Sequence, residues 1–187
     1  SSLMKGGGGR EGGEIVTGSG ADGHAGQGDA DRGDPPACAP EIDMPTGTNC
    51  AQAKLTCGAD VTGSTGTGRA HFGDDFYQGM HCTPQRHHYD ESGEAVYLLN
   101  IPADVEATVH VESDCGDLDV ATYRFERGGA CPTAKDPIAQ CEMDTKRGDA
   151  TVKVTTVNSP EKHLVIVDGK GGDEGNFRLS VSCRTYR

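Results

Sequence analysis

Two arrangements of hydrophobic and polar positions follow one another near the end of the chain. His163-Leu-Val-Ile-Val-Asp168 is a nearly unbroken apolar run, whereas Phe177, Leu179, Val181 and Cys183 alternate strictly with Arg178, Ser180 and Ser182. A period of two places the first four on one face of a strand, against a core. With the Gly-rich turn between them, the two runs read as the closing hairpin of a β-sandwich. Cys183 is expected to lock its last strand to an earlier part of the fold. Val105, Ala107, Val109 and Val111 repeat the alternation. Turn-rich breaks delimit strands over residues 60–64, 95–101, 105–112, 118–127, 151–157, 163–168 and 176–183. No amphipathic helix stands out beyond a short helical turn at 50–55, so the pattern predicts an all-β antiparallel β-sandwich or jelly roll.

The pattern fails at the N-terminal end. Residues 1–36 form a Gly-rich arm with 12 Gly among the first 33 residues, no Cys and few large apolar side chains. Such a segment cannot offset its ordering entropy by burial. Residues 37–47 read as a Pro-rich linker carrying Cys38, and the sandwich domain as 48–187. The only β-prone stretch of the arm is Glu14-Ile-Val-Thr17. Docking on a neighbouring copy, along a groove or as an added strand, would give the arm a role. Repeated head to tail, such a contact builds a homo-oligomer or an open filament. The residues expected to carry assembly are Gly6, Gly7, Gly8, Gly9, Ile15 and Val16.

Composition narrows the class. With 34% hydrophobic residues, 5% aromatic and no Trp among 187 residues, the core must be thin and built from Val, Leu, Ile and Cys. Eight Cys without a CxxC pair read as a disulfide framework in an oxidising compartment, not as a zinc site. Cys131 and Cys141, ten residues apart across a polar turn, are the expected local pair. Cys50 and Cys57 are a second candidate pair, with distant partners for each as the alternative; Cys38, Cys82, Cys115 and Cys183 complete the set. A net charge of −12 repels phosphate backbones and anionic membranes, so nucleic acid is an unsuitable partner. No stretch approaches the roughly 18 apolar residues of a membrane span, so no transmembrane segment is expected. A start at Ser1 fits a secreted form whose signal has been removed, placed outside the cell or on a bacterial surface.

The residues from Cys50 to Cys183, about 134 in all, carry a resemblance. Its marks are Asn49-Cys50, Val61-Thr-Gly-Ser-Thr65, Ala95-Val-Tyr-Leu-Leu-Asn-Ile101, the strand from Ala107 to Val111, and Asp119. Further on come the Cys131 to Cys141 turn with Glu142 and Asp144, then Val167-Asp-Gly169 and Gly175-Asn-Phe-Arg-Leu-Ser-Val181. In order and spacing they resemble the bacterial pre-peptidase C-terminal domain family, particularly its Cys-containing versions on secreted proteins. The resemblance implies a jelly-roll-like sandwich that accompanies secreted enzymes or surface proteins and is not itself catalytic. The chain departs from the family in lacking a peptidase domain, in its additional Cys38, Cys57 and Cys115, and in its Gly-rich arm. Those departures favour a stand-alone structural or binding protein.

Candidate chemistry is sparse. His71, His81, His87 and His88 cluster with acidic residues in the run 71–90, a donor set suited to zinc or copper. The run lacks helical ligand spacing and reads first as a solvated loop closed by a disulfide at Cys82. Asp117, Asp119, Glu142, Asp144 and Asp168 fall near strand ends, where oxygen ligands could gather around calcium. The competing reading is that they cap backbone amides and keep an edge solvated. Asp29 to Asp34 starts like a calcium loop, but the twelfth position is Pro40 where Glu is required. Arg32-Gly-Asp34 and Arg147-Gly-Asp149 arise by chance in a chain this rich in Gly and Asp. Gly63-Ser-Thr-Gly66 lacks the spacing of a nucleophile elbow, and Cys82 beside His81 reads as a disulfide half. The leading expectation is therefore a non-enzymatic extracellular structural protein that self-assembles through its arm. The alternative is an accessory binding module for calcium, matrix or polysaccharide, with Tyr77, Tyr89 and Phe76 as the aromatic candidates for a sugar platform.

Overall fold

A computed structural model describes residues 50–83, 88–114, 116–125, 130–137 and 139–185. The assembly candidates Gly6, Gly7, Gly8, Gly9, Ile15 and Val16, together with His87, Cys38 and Cys115, lie outside these residues.

In chain order the elements are β1 (Ala53–Leu55), β2 (Asp60–Ser64), α1 (Asp74–Gly79), β3 (Glu94–Ile101), β4 (Val105–Glu112), β5 (Leu118–Arg124), β6 (Cys141–Asp144), β7 (Ala150–Thr155), β8 (Glu161–Gly169) and β9 (Asn176–Thr185). They form a five-stranded sheet in the order β1-β3-β8-β5-β6 and a four-stranded sheet in the order β2-β9-β4-β7. Every pairing is antiparallel except β1 with β3. The all-β sandwich expected from the alternation is the observed architecture.

The main core lies between the sheets, where Tyr97, Leu99, Val165 and Val167 of one meet Val109, Val111, Leu179 and Val181 of the other. A second core lies on the far side of the five-stranded sheet. There Val96, Ala121, Tyr123, Leu164 and Ile166 pack against Phe72, Phe76, Tyr77, Met80 and Tyr89 from the segment around α1. The two sequence patterns follow directly. β8 buries Val165 and Val167 on one face and Leu164 and Ile166 on the other, so it reads as continuous hydrophobicity. β9 has one face in the core and one in solvent, so it alternates. Each aliphatic side chain fully withdrawn from water contributes about 1.5–3 kcal/mol.

The closing hairpin does not form. β8 pairs with β3 and β5, whereas β9 pairs with β2 and β4, so the connection crosses from one sheet to the other. Burial explains the outcome: a strand apolar on both faces needs the interior of a doubly covered sheet, and a partner with one polar face does not belong beside it. The crossing is tight. A Cβ on Gly169 would lie 1.6 Å from the Asp173 carbonyl oxygen, and Gly171 takes φ +70°. Only glycine accommodates both demands cheaply.

Three local expectations are also corrected. Residues 50–55 are extended, and β1 runs parallel to β3 with Leu55 buried in the main core. The run 71–90 contains α1, whose first turn carries Asp74 and Asp75 and which buries Phe76 and Tyr77. Six residues are too few to display helical periodicity. The Cys131–Cys141 and Cys50–Cys57 pairs are replaced by Cys50–Cys131, Cys82–Cys141 and Cys57–Cys183. Nearness in sequence misled because Cys141 opens β6, whose position at the sheet edge sets it beside Cys82, with Cα atoms 5.8 Å apart. Cys183 does lock the last strand to an early segment. The closed loops span 81, 126 and 59 residues, and each such crosslink stabilises by about 2–4 kcal/mol.

Candidate functional site

The densest polar chemistry lies beneath the segment that covers the five-stranded sheet. In register across β3, β8 and β5, Glu94 stands opposite Asp168 and Asp168 opposite Asp119. All three carboxylates are 1–2% exposed. The Tyr77 hydroxyl of α1 donates to Asp168 Oδ2 at 2.6 Å, and the Ser92 hydroxyl donates to Oδ1 at 3.0 Å. The Tyr89 hydroxyl donates to Asp119 Oδ2 at 2.5 Å. Glu94 Oε1 accepts the backbone N–H groups of His71 and of Phe72, while its Oε2 is buried without a partner. Burial, reinforced by neighbouring carboxylates, pushes the acids up: Asp119 to about 6, Asp168 to about 7 and Glu94 to about 8. Burial and the same acids raise the Tyr77 and Tyr89 hydroxyls. The arrangement fastens the cover to the sheet.

Of the five carboxylates expected around calcium, Asp119 and Asp168 stand opposite one another in register, and Asp117 and Asp144 lie close enough to Asp119 to raise its pKa. Asp117 accepts the Gly148 N–H and lies 3.8 Å from Arg147. Asp144 accepts the N–H groups of Lys146 and Thr151, and Glu142 is exposed on β6. His71, His81 and His88 are all exposed: His81 lies beside the Cys141 sulfur, and the His88 carbonyl accepts the Gly171 N–H. Among the described residues no three His, Cys, Asp or Glu side chains converge as a metal-holding group. The aromatic candidates for a sugar platform, Tyr77, Tyr89 and Phe76, are buried at 0%, 0% and 4% exposure and offer no open face. Sequence reasoning missed Glu94 and Ser92. The available signal was an acid opening one apolar run, Glu94-Ala-Val-Tyr, and another closing a second, Val-Ile-Val-Asp168.

His163 is a second buried polar group, with Nε2 3.0 Å from Glu161 Oε2, while Glu161 Oε1 lies 3.2 Å from Arg124. Burial lowers its pKa against the opposing pull of Glu161.

The outer face of the four-stranded sheet differs in kind. Its strands present two rows in register, Asp60, Ser180, His110 and Thr151 in one and Ser182, Thr108 and Lys153 in the other, with Thr62 opposite Arg178. Arg178 makes paired bonds to Asp60, and Arg184 bonds Glu106. Glu106, Thr108, Lys153, Ser182, Cys183 and Arg184 enclose a shallow concavity of about 240 Å³. At the outer edge, the Thr151 N–H of β7 is capped by Asp144, and Lys153 marks the middle of the strand.

No protein-family model and no curated protein matches the chain in sequence. Solved structures similar to it include the pre-peptidase C-terminal domain of a collagenase from Bacillus anthracis, at TM-score 0.40 and 14% identity, covering 71% of this chain and 96% of that one. PliG of Aeromonas hydrophila, a periplasmic inhibitor of g-type lysozyme, aligns at TM-score 0.41 and 14% identity, over 71% and 98% of the two chains. CorA, a surface-associated copper-binding protein of Methylomicrobium album BG8, aligns at TM-score 0.34 and 10% identity, over 70% and 98%. The pre-peptidase C-terminal domain that the sequence resembles is thus among the structures this chain is similar to, as a likeness of structure and not of sequence family.

Proposed function

We propose that this chain is a non-catalytic extracellular binding module. Its disulfide-closed sandwich presents the open face of the four-stranded sheet to a partner, and the Gly-rich N-terminal segment serves as a tether. The observation that carries this reading is a division of labour between the sheets. Asp119, Asp168 and Glu94, acids suited to proton transfer, are buried in bonds that hold elements together, and His163 is buried beside Glu161 of its own strand. The open face, by contrast, is tiled with hydroxyls and cross-strand ion pairs. In a chain of net charge −12, the concavity sets Lys153 and Arg184, the latter bonded to Glu106, beside the hydroxyls of Thr108 and Ser182, a local group of donors for the carboxylates of an acidic polysaccharide. The disulfides point to an extracellular or envelope location. No described helix is long and apolar enough to cross a membrane. Affinity electrophoresis through gels containing alginate tests the reading: the wild-type chain is retarded, and Lys153→Ala with Arg184→Ala is not. With each mobility taken relative to the same chain in a gel without alginate, equal relative mobilities of the two overturn it. Repeating the run with calcium and with chelator separates direct binding from calcium bridging.

A second reading, self-assembly through the arm, is favoured by the composition of residues 1–36, which bury little by themselves and contain the β-prone Ile15-Val16. Electron microscopy of the whole chain beside a form beginning at residue 35 decides it. Particles larger than a monomer that vanish on truncation support arm docking, and unchanged particles sink it.

A further inference from the structure

Three disulfides are described, and they differ in what they hold. Cys57–Cys183 ties the approach to β2 to β9, within one sheet. Cys50–Cys131 ties the approach to β1 to the chain ahead of β6. Cys82–Cys141 joins the end of the covering segment to the edge strand β6. Exposure does not separate it from the others: Cys141 is buried and Cys82 partly open, as Cys50 is buried and Cys131 partly open, and both Cys57 and Cys183 are partly open; what sets it apart is a neighbouring imidazole. The exposed His81 ring lies directly against the buried sulfur, with Nε2 3.8 Å and Nδ1 3.9 Å from Cys141 Sγ. The remaining fasteners of the cover, Tyr77 to Asp168, Tyr89 to Asp119 and Glu94 to the amides of His71 and Phe72, reach β8, β5 and β3, and none reaches β6.

We propose that Cys82–Cys141 is a redox latch, opened by an external dithiol to release the covering segment from β6 while the sandwich stays closed. An incoming thiolate attacks the accessible Cys82 sulfur, forming a mixed disulfide and breaking the Cys82–Cys141 bond. Cys141 departs as a thiolate, which accepts a hydrogen bond from the His81 ring N–H; stabilising the leaving sulfur speeds the step. The second thiol of the dithiol, deprotonated, then attacks its partner sulfur in the mixed disulfide, forming the dithiol's own disulfide and leaving Cys82 as a thiolate. Two electrons pass from the dithiol to the protein, and the thiolates take protons from water. With the latch open, Met80, which lies between Tyr77 and the latch, loses the covalent hold at its end of the cover, and the apolar cluster it belongs to becomes accessible there. The bonds to Asp168 and Asp119 remain as a hinge. His81 acts here as a positioning residue for the leaving sulfur.

The test is a time course of the whole oxidised chain with dithiothreitol at pH 7, quenched by iodoacetamide and read by peptide mass spectrometry. Cys82 and Cys141 are expected to be labelled at least tenfold sooner than Cys57, Cys183, Cys50 and Cys131. Initial trapping of the reductant should fall on Cys82. His81→Ala should slow the opening of this bond severalfold and leave the rates of the other two unchanged, whereas His81→Gln, which restores an N–H donor, should recover part of the loss. Hydrogen exchange of the protein with this one bond reduced should rise in residues 78–83 and in β6 alone. Earlier opening of either other disulfide, or an unchanged rate in His81→Ala, overturns the proposal. Exchange rising across β2, β4, β7 and β9 would also overturn it, because the sandwich would then have opened with the latch.

Discussion

The outer faces of the two sheets received opposite treatments. On the five-stranded sheet, Leu164, Ile166, Val96 and Ala121 are sealed by a segment with a six-residue helix, and the carboxylates at the end of that face are buried with their hydrogen-bond donors. On the four-stranded sheet, the outward positions are hydroxyls and charges that need no cover. A sheet apolar on both faces must recruit chain to hide one of them, and the described residues of 71–83 and 88–92 are that recruited chain. Polar groups drawn under the cover become strongly dependent on one another, because an unpaired buried carboxylate or hydroxyl is costly. On the open face water substitutes for any lost partner.

The sharpest way to break the comparison is Tyr77→Ala. Tyr77 is 0% exposed, and it removes an aromatic side chain and the bond to Asp168 together. Urea unfolding should show a loss of about 3–5 kcal/mol, as for other large buried aromatics. A loss below about 1 kcal/mol would mean that the cover contributes little.

The next effect is in pH. The covered acids titrate higher folded than unfolded: Asp119 to about 6, Asp168 to about 7 and Glu94 to about 8, against ordinary values of 3.8 and 4.5. The folded state therefore binds more protons than the unfolded chain between these limits. Their stabilising contribution is complete below the unfolded values and is lost as pH rises towards 8. Melting temperature should fall between pH 5 and pH 8 on this account, and Glu94→Gln with Asp168→Asn should flatten the slope. A melting temperature that climbs through this range in the wild-type chain would refute the assignment.

On the open face the sign reverses. Hydrogen bonds from Arg178 and Arg184 hold Asp60 and Glu106 below the usual carboxylate range, so those pairs stabilise above the unfolded values and weaken as acid protonates the folded carboxylates. They are surface pairs, so Arg178→Ala should move the urea midpoint only slightly, and less in high salt, read from the same urea curves at two ionic strengths. The smallest effect belongs to Ser182→Ala on this face, expected within about 0.5 kcal/mol of wild type. A loss above about 2 kcal/mol there would show that the face is not solvated as described.

Legibility in the sequence divides along the same line. The alternation in β4 and β9 was readable because one face of each strand meets water, and β2 and β4 keep the predicted bounds 60–64 and 105–112. The acids were readable only as acids. Asp168 looked like an oxygen ligand near a turn, and nothing local said that Tyr77, 91 residues away, would donate to it. Tyr77 and Tyr89 looked like exposed platforms because a Gly- and Pro-punctuated run resembles a loop, whereas the apolar back of the five-stranded sheet drew them under.

By itself the sequence determined the class of the fold, its strands, its reliance on disulfides and the contrast between a doubly buried β8 and a half-buried β9. Those properties reside in periodicity and composition, which act over a few residues. Which strands pair, which cysteines meet and which acids lose their water were decided by tertiary structure. The crossing of β8 and β9 into different sheets, the Cys82–Cys141 bond and the Glu94–Asp168–Asp119 row all depend on burying both faces of one sheet at once, a demand made by the whole chain and by no segment of it.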